Sequence, residues 1–200
     1  MRIIGGAHRS RRLAAPEGLA TRPMTDRVRE NLFNLLGQDL EGAVVLDLFC
    51  GSGALGLEAL SRGAAFCRFV DASPDAIQAV RTNCRELGLE KQSRISREDV
   101  LRPGPWIRPP AGAWYTHVFI DPPYRMTAEA EGQSKLSRTA EALGRMGCLA
   151  EGATVMLRAK RGTAIALPWP GFRTADERSY GTTTLHLMTY GGIAETRGDP

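Results

Sequence analysis

The 200-residue sequence predicts an α/β fold: a mostly parallel seven-stranded sheet with helices on both faces, an antiparallel C-terminal hairpin and a small N-terminal β-hairpin arm. Two observations predict the sheet. Between residues 44 and 157, short apolar runs typical of buried strands alternate with helical patterns, which is the order of a parallel sheet. Two further strand-like segments, 172–179 and 183–190, are joined only by Tyr180-Gly181, and so short a connection requires antiparallel pairing.

The N-terminal arm is predicted from two short extended pieces, Ile3-Ile4 and residues 11–14, on either side of a polar turn. Thr25 then caps a helix that ends near Gly37, with its apolar residues at helical spacing and Arg27, Arg29 and Glu30 on the other side. We therefore expect a basic arm over residues 1–20, a main domain over 21–193 and a flexible tail over 194–200.

The main domain follows as strands and helices in turn. Residues 44–49 form a strand, and the glycine turn at 51–53 leads into a helix at 54–62. A second strand, 66–70, precedes a helix that Ser73-Pro74 begins and Gly88 ends. Strands are predicted at 93–96, 118–120 and 154–157, with a helix over about 128–146 between the last two.

Charge is concentrated at the N-terminus. Residues 1–30 contain seven arginines and three acidic residues, which accounts for the whole net charge of +4. A solvated surface is the simpler explanation, but arginine binds phosphate with a planar fork, which favours an RNA-facing surface. The predicted RNA-binding residues are Arg2, Arg9, Arg11, Arg12, Arg22 and Arg29.

Several classes of protein are not favoured. No apolar run approaches the roughly 20 residues of a membrane helix, and the start of the chain lacks the apolar core of a signal peptide, so we expect a cytoplasmic protein. The four cysteines are widely separated and contain no Cys-x-x-Cys pair, so no metal site is expected.

The glycine-rich turn lies where the first strand of an open α/β sheet meets its helix, the position at which such folds bind nucleotides. Gly51, Gly53 and Gly56 match G-x-G-x-x-G, which alone would equally indicate a dinucleotide oxidoreductase. Asp47 favours a different ligand, because a carboxylate at this strand end is poorly placed beside a pyrophosphate and well placed near an ammonium and a sulfonium. S-adenosylmethionine is such a ligand, with S-adenosylhomocysteine as its product.

Two later strand ends offer further acceptors for this cofactor. Asp71 ends the second strand and can accept both ribose hydroxyls, while Asp99 follows the third strand near the expected adenine amino group, with Val100 against the ring. Turn chemistry explains either aspartate alone equally well. Signals at three successive strand ends favour a cofactor site. Its predicted residues are Asp47, Phe49, Gly51, Ser52, Gly53, Asp71, Ala72, Asp99 and Val100.

The fourth strand ends in the predicted catalytic residues Asp121, Pro122, Pro123 and Tyr124. An exocyclic amino nitrogen is a poor nucleophile, so methyl transfer to it needs acceptors that hold its N–H bonds as the methyl group arrives. Asp121 offers a carboxylate, Pro122 a carbonyl whose direction the two prolines fix, and Tyr124 a ring that can stack on the base. The alternative is a simple strand-ending turn.

These stretches together resemble the bacterial 16S rRNA guanine-N2 methyltransferases of the RsmD type. The resemblance rests on RIIGG at 2–6, TRPMTDRVRENLFN at 21–34, residues 47–64, DPPY at 121–124 and YG at 180–181. It implies a Rossmann-like class I fold dependent on S-adenosylmethionine, without a metal. It further implies transfer to the N2 amino group of a guanine in 16S rRNA, of the guanine-966 type. The implied partner is the small ribosomal subunit or a late assembly intermediate, and the implied state is a monomer.

The resemblance also bears on two sets of residues. Arg22, Thr25, Asp26 and Arg29 lie in the N-terminal motif and are expected beside the cofactor or target-base pocket, with helix capping and surface ion pairs as the alternative. Relatives often carry a glutamate at the end of the fifth strand. This chain has Arg158 and Lys160 there, a change that indicates phosphate binding.

Three other functions remain open at this point. An N6-adenine methyltransferase acting on DNA or RNA would use the same tetrapeptide, although a DNA enzyme usually needs a recognition insertion for which 200 residues leave little room. A dehydrogenase is disfavoured by Asp47 and by the lack of a separate substrate domain. A non-catalytic RNA-binding module is disfavoured because the cofactor turn and the tetrapeptide are both intact.

Overall fold

A computed structural model of the chain describes residues 1–16 and 24–192. The predicted RNA-binding residue Arg22, the predicted boundary between residues 20 and 21 and the predicted tail at 194–200 lie outside the described residues. Nothing in the structure therefore bears on the division of the chain at residues 20 and 193.

A seven-stranded sheet organises the domain. Its strands are β1 Val44–Leu48, β2 Phe66–Asp71, β3 Ser93–Arg97, β4 Tyr115–Ile120, β5 Leu149–Lys160, β6 Phe172–Tyr180 and β7 Thr183–Tyr190. The spatial order is β3-β2-β1-β4-β5-β7-β6, with β1 to β5 mutually parallel. Strand β7 is antiparallel to both β5 and β6, so the predicted C-terminal hairpin is present and completes the sheet.

Helices cover both faces of this sheet. They are α1 Asp26–Leu36, α2 Ala54–Ser61, α3 Pro74–Leu87, α4 Tyr124–Ala128 and α5 Ala130–Arg145, with short 3-10 turns at Glu90–Gln92 and Pro105–Ile107. One buried cluster joins α1, α2 and α3 to Val45, Phe69 and Phe119 of the sheet. A second cluster joins α5 to Leu46 and Val118 on the opposite face. Alternate residues of each strand therefore enter different cores, as expected for a sheet buried on both sides.

The first helix differs from the prediction in the face that it buries. Thr25 caps it as expected, with its hydroxyl oxygen accepting from the Val28 amide at 3.4 Å. Arg29, however, lies on the buried face together with Val28, Leu32 and Phe33, not on the solvent side. The apolar spacing alone located the helix but misassigned this charged position, whose acidic partners are Asp26 of the same helix at 3.0 Å and Glu58 of another helix at 3.8 Å.

The helix predicted over about 128–146 is present as α5, and a short helix that was not predicted, α4, precedes it. Helix α4 begins at Tyr124 and α5 ends at Arg145, with the extended Glu129 between them. Gly132 permits their close contact, since a β-carbon there would come within 2.3 Å of the Met126 carbonyl oxygen. The chain therefore turns back on itself directly after the predicted catalytic residues.

Helix α2 packs closely against β2 at Gly56. A β-carbon at this position would lie 2.4 Å from the Phe69 ring and 2.5 Å from the Cys67 sulfur. The third glycine of the G-x-G-x-x-G pattern is therefore required by helix–strand packing.

The N-terminal arm is a minimal hairpin that packs on α2. Arg2 and Arg12 form an antiparallel bridge, and the Ile3 amide donates to the Arg11 carbonyl at 2.9 Å. The Ile3 side chain is buried in the core of the main domain. Within the described residues no helix has the length and apolar character needed to cross a membrane.

Candidate active site

A cleft opens at the carboxyl ends of the central parallel strands, where β1, β2, β4 and β5 meet α1 and α2. This edge is where open α/β sheets bind ligands, because the chain leaves each strand there and polar groups converge. The side chains that line the cleft are Met1, Met24, Arg29, Asp47, Phe49, Cys50, Gly51, Ser52, Ala54, Leu55, Asp71, Asp121, Pro122, Pro123 and Arg158.

The glycine turn forms the floor of this cleft. Phe49, Gly51 and Gly53 all have positive φ angles, of 58°, 54° and 78°. A positive φ is uncommon for phenylalanine and marks a backbone that the surrounding structure holds in place. Gly53 begins α2, so the first turn of this helix adjoins the cleft.

Asp47 lies below the turn, and its two carboxylate oxygens have different surroundings. One oxygen accepts from the Gly56 amide at 2.9 Å, which fixes α2 to the end of β1. The other oxygen is buried and has no hydrogen-bond partner. Burial raises the pKa of this carboxyl well above its usual value. An unsatisfied buried acceptor that lines a cleft fits a cationic ligand such as an ammonium or a sulfonium.

Asp71 lies across the cleft at the end of β2 and supports the glycine turn. Its two carboxylate oxygens accept from the Gly51 amide and the Ser73 amide, each at 2.9 Å. A carboxylate oxygen has two lone pairs, so these bonds leave capacity for ligand hydroxyls.

Four predicted cofactor residues are not among those that line this cleft, and one of them, Gly53, is the residue at which α2 begins. Ala72 and Asp99 are exposed, and the Asp99 carboxylate accepts from the Leu101 amide at 3.0 Å and pairs with Arg102 at 3.4 Å. Val100 is buried in the core cluster of the α5 face. The third strand end therefore has the turn structure that was the alternative explanation for Asp99.

Asp121 ends β4 and faces the cleft beside the two prolines. The carboxyl side chain is 17% exposed, and burial raises its pKa to about 6, although the neighbouring Arg158 opposes this rise. The Asp121 amide donates to the Leu48 carbonyl at 3.3 Å, which brings the end of β4 next to the end of β1. Asp47 and Asp121 therefore line one site, as the sequence predicted.

Arg158 is the residue that the sequence did not place here. Its Nε atom lies 2.5 Å from the Asp121 carboxylate, and its guanidinium lies 5.2 Å from the centroid of the Tyr124 ring. The side chain is buried, so the change at the end of the fifth strand forms an ion pair inside the site instead of a phosphate-binding surface. The Tyr124 hydroxyl is 2.7 Å from the Thr183 hydroxyl, which ties this ring to the final hairpin.

A second cavity adjoins the cleft on the far side of Arg158 and Tyr124. It lies between the start of α1 and the turn of the C-terminal hairpin. The lining residues are Met24, Thr25, Arg27, Val28, Tyr124, Arg158, Ser179, Tyr180, Gly181, Thr182 and Thr183. Arg158 thus borders both cavities, and so does Met24.

A buried ion network joins the arm to the wall of the cleft. The Glu58 carboxylate accepts from the amides of Ile4 and Gly5 and pairs with Arg62, all at 2.8 Å. Arg29 lies 3.8 Å from the same carboxylate and lines the cleft. Burial lowers the pKa of the Arg29 guanidinium, and Glu58 and Asp26 oppose that effect.

Arg29 is therefore misassigned among the predicted RNA contacts, because its guanidinium is 1% exposed. One of its terminal nitrogens also contacts the Arg2 carbonyl. The other predicted arginines that the structure describes, Arg2, Arg9, Arg11 and Arg12, are exposed. The Arg11 guanidinium reaches the Glu86 carbonyl at the end of α3, at 2.9 Å.

Comparison with known proteins identifies the family. The model of the family described as Conserved hypothetical protein 95 matches residues 1–189. The chain belongs to this family, the RsmD-type methyltransferases. The predicted resemblance, the Rossmann-like class I fold and the cofactor are confirmed.

Individual relatives agree with this membership. The chain is 40% identical over 125 residues to Ribosomal RNA small subunit methyltransferase D of Escherichia coli strain K12, an alignment that covers 62% of this chain and 61% of the relative. It is 32% identical over 138 residues to the protein of the same name from Haemophilus influenzae, covering 68% and 70%. The solved structure of the E. coli protein YhhF is 30% identical, with a TM-score of 0.78 over 96% of this chain and 98% of that one.

Proposed function

We propose that this chain transfers a methyl group from S-adenosylmethionine to the N2 amino group of a guanine in 16S rRNA. The observation that carries the proposal is the convergence of Asp47 and Asp121 on one cleft, at the ends of neighbouring strands. A cation-binding carboxylate and an amine-orienting carboxylate within one site are what transfer to an exocyclic nitrogen requires. The names of the E. coli and H. influenzae relatives support ribosomal RNA of the small subunit as the substrate class.

Different residues of the cleft bind different parts of the cofactor. S-adenosylmethionine supplies an electrophilic methyl group on a sulfonium. The unsatisfied Asp47 oxygen attracts the cationic part of the ligand, and the Asp71 carboxylate accepts from its ribose. The glycine turn from Phe49 to Gly53 brings backbone close to the ligand without side-chain obstruction, since a β-carbon added at Gly51 would meet nothing within 4 Å.

Asp121 and the prolines hold the acceptor amine. The ionised carboxylate accepts one N–H bond of the amino group and the Pro122 carbonyl accepts the other, which favours pyramidal nitrogen. Transfer would form an N–C bond as the S–C bond breaks, and the proton lost by the nitrogen would pass to the Asp121 carboxylate or to solvent. Orientation of the two reactants in one cleft supplies much of the acceleration, without a covalent enzyme intermediate.

The target base enters, in this proposal, through the second cavity. That cavity is lined by the Tyr124 ring and by the Arg158 guanidinium, which contacts Asp121, and both are flat groups on which a base can stack. One face of the Tyr124 ring is covered by Arg158, so the base uses the opposite face or the guanidinium itself.

The exposed arginines of the arm supply the RNA-binding surface. Arg2, Arg9, Arg11 and Arg12 belong to the same hairpin, which is fixed to α2 beside the cleft. Cationic groups anchored near a catalytic cleft attract phosphate and orient the RNA without reading its sequence. We propose that the protein acts as a cytoplasmic monomer on the small subunit or a late assembly intermediate.

The test is methyl transfer from labelled S-adenosylmethionine to small ribosomal subunits from a strain that lacks this gene, followed by nucleoside analysis of the rRNA. Labelled N2-methylguanosine is the expected product. Labelled N6-methyladenosine would contradict the proposed base and support the adenine alternative. If the protein binds the cofactor but leaves the subunits unlabelled, the proposed substrate is contradicted. Free RNA and DNA would then be tested as substrates.

A further inference from the structure

We propose that Arg158 is a positioning residue for methyl transfer, which holds the Asp121 carboxylate ionised and in a fixed orientation toward the target amine. This inference rests on the proposed role of Asp121. It assigns a counter-ion from β5 to the carboxylate that is proposed to bind the amine.

The register of the sheet brings the two residues together. Ile120 and Leu157 are paired neighbours on the parallel strands β4 and β5, so Asp121 and Arg158 leave adjacent strand ends side by side. The Arg158 Nε atom lies 2.5 Å from an Asp121 oxygen. Arg158 belongs to a regular strand with both neighbouring strands hydrogen-bonded, so its position is fixed by the sheet.

The environment explains why Asp121 needs this partner. The Asp121 side chain is largely withdrawn from water, and the same cleft contains two further carboxylates, Asp47 and Asp71. A buried carboxyl without a counter-ion takes up a proton near neutral pH, and the protonated form loses an acceptor for the amine. The Arg158 guanidinium favours the ionised form.

Arg158 also holds Tyr124, the residue of the tetrapeptide 121–124 that is proposed to stack on the target base. Its guanidinium covers one side of the Tyr124 ring at 5.2 Å, a distance at which cation–π attraction operates. One side chain therefore contacts the carboxylate that binds the amine and the ring proposed to stack on the base. The charged and titratable residues that line the cleft with Asp121 are Arg158 from β5, Asp47 from β1, Asp71 from β2, Cys50 from the glycine turn, Arg29 from α1 and the N-terminal Met1, and Tyr124 of α4 lies against Arg158.

The experiment measures the ionisation of Asp121 directly in Arg158→Gln, Arg158→Lys and the unchanged protein. Carboxyl groups labelled with carbon-13 are followed by NMR across a pH titration, with the Asp121 signal identified by its loss in Asp121→Asn. An adjacent opposite charge lowers the pKa of an acid by about one to three units. Arg158→Gln should therefore raise the pKa of Asp121 by at least about one unit, whereas Arg158→Lys should leave it nearly unchanged.

Single-turnover methyl transfer supplies the second readout. If the pKa rises from about 6 to about 8, the ionised fraction at pH 7 falls from roughly ten-elevenths to roughly one-eleventh, so Arg158→Gln should be about tenfold slower at pH 7 and recover by pH 9. Arg94→Gln makes the same change on β3 at the far edge of the sheet, where the side chain is exposed, and should match the unchanged protein.

The carboxyl titration and the transfer assay together distinguish an electrostatic role of Arg158 from a purely structural one. A carboxyl titration that does not move in Arg158→Gln, or a loss of transfer that is the same at every pH, would overturn the positioning role. If Arg158→Gln does not fold, Arg158→Lys decides: a profile that shifts despite the retained charge contradicts the electrostatic argument. If the unchanged protein does not methylate subunits, the proposed function fails, and the carboxyl titration still decides whether Arg158 controls Asp121.

Discussion

The buried Glu58 network makes the sharpest prediction about how the arm is attached. Glu58→Gln keeps the shape of the side chain and removes its charge. The carboxylate serves three donors at 2.8 Å, the amides of Ile4 and Gly5 and the Arg62 guanidinium. An amide has one acceptor oxygen, and its NH2 group would face one of those donors.

The expected loss of unfolding free energy in Glu58→Gln follows from the burial of the arginines beside Glu58. Arg29 and Arg62 are 1% and 8% exposed, so water hardly reaches either guanidinium. Arg62 would lose its carboxylate partner, and Arg29 would lose one of two, keeping Asp26 at 3.0 Å. Breaking a buried pair in this way costs about 3 to 5 kcal/mol of unfolding free energy. For a protein of this length that corresponds to a fall in Tm of roughly 6 to 20 °C.

Urea denaturation followed by tryptophan fluorescence measures the loss, and Glu30→Gln is the matched control. Glu30 is exposed on α1, so the same chemical change there should alter the unfolding free energy by less than about 0.5 kcal/mol. A loss below about 1 kcal/mol in Glu58→Gln would refute the claim that this ion network anchors the arm.

The remaining predictions concern chemistry, RNA binding and packing. Asp121→Ala should abolish methyl transfer while leaving S-adenosylhomocysteine binding, measured by calorimetry, largely intact; a comparable loss of cofactor affinity would contradict the separate roles. Replacing Arg9, Arg11 and Arg12 together by Gln should weaken subunit binding and lower the slope of log affinity against log salt by up to about 2 to 3, and an unchanged slope would exclude the arm as a phosphate-binding surface. Gly56→Ala should cost about 1 to 3 kcal/mol in urea denaturation because β2 side chains fill the space; no loss would contradict the close contact.

The central part of the site was predictable because its signals are local. Asp47 and Asp121 each end an apolar run, and parallel strands end at a common edge, so strand order alone brings them together. The glycine turn carries its own backbone requirement, seen in the positive φ of Gly51 and Gly53. The antiparallel hairpin likewise follows from a connection too short for a helix.

The errors arose where the partner is distant in sequence. Arg29 was assigned to a solvent face because charged side chains are rarely fully buried unless paired. Asp26 pairs with it locally at 3.0 Å, but its buried acidic neighbour Glu58, at 3.8 Å, lies on another helix. Arg158 contacts Asp121 only through the register of β4 with β5, which no local pattern encodes. Ile120 of β4 is paired with Leu157 of β5, so comparing the residues that follow each of them would have indicated the contact between Asp121 and Arg158.

The charges of the cleft explain why arginines occur beside carboxylates in a site for a cationic cofactor. Among the described residues that line it, three are carboxylates, Asp47, Asp71 and Asp121, and two are arginines, Arg29 and Arg158. With all five ionised they sum to one negative charge, which complements a ligand that carries two positive groups and one carboxylate. After transfer the sulfonium charge is lost, so the attraction weakens for the product. Three uncompensated carboxylates would instead repel one another and take up protons, because burial already raises the pKa of Asp47 and Asp121.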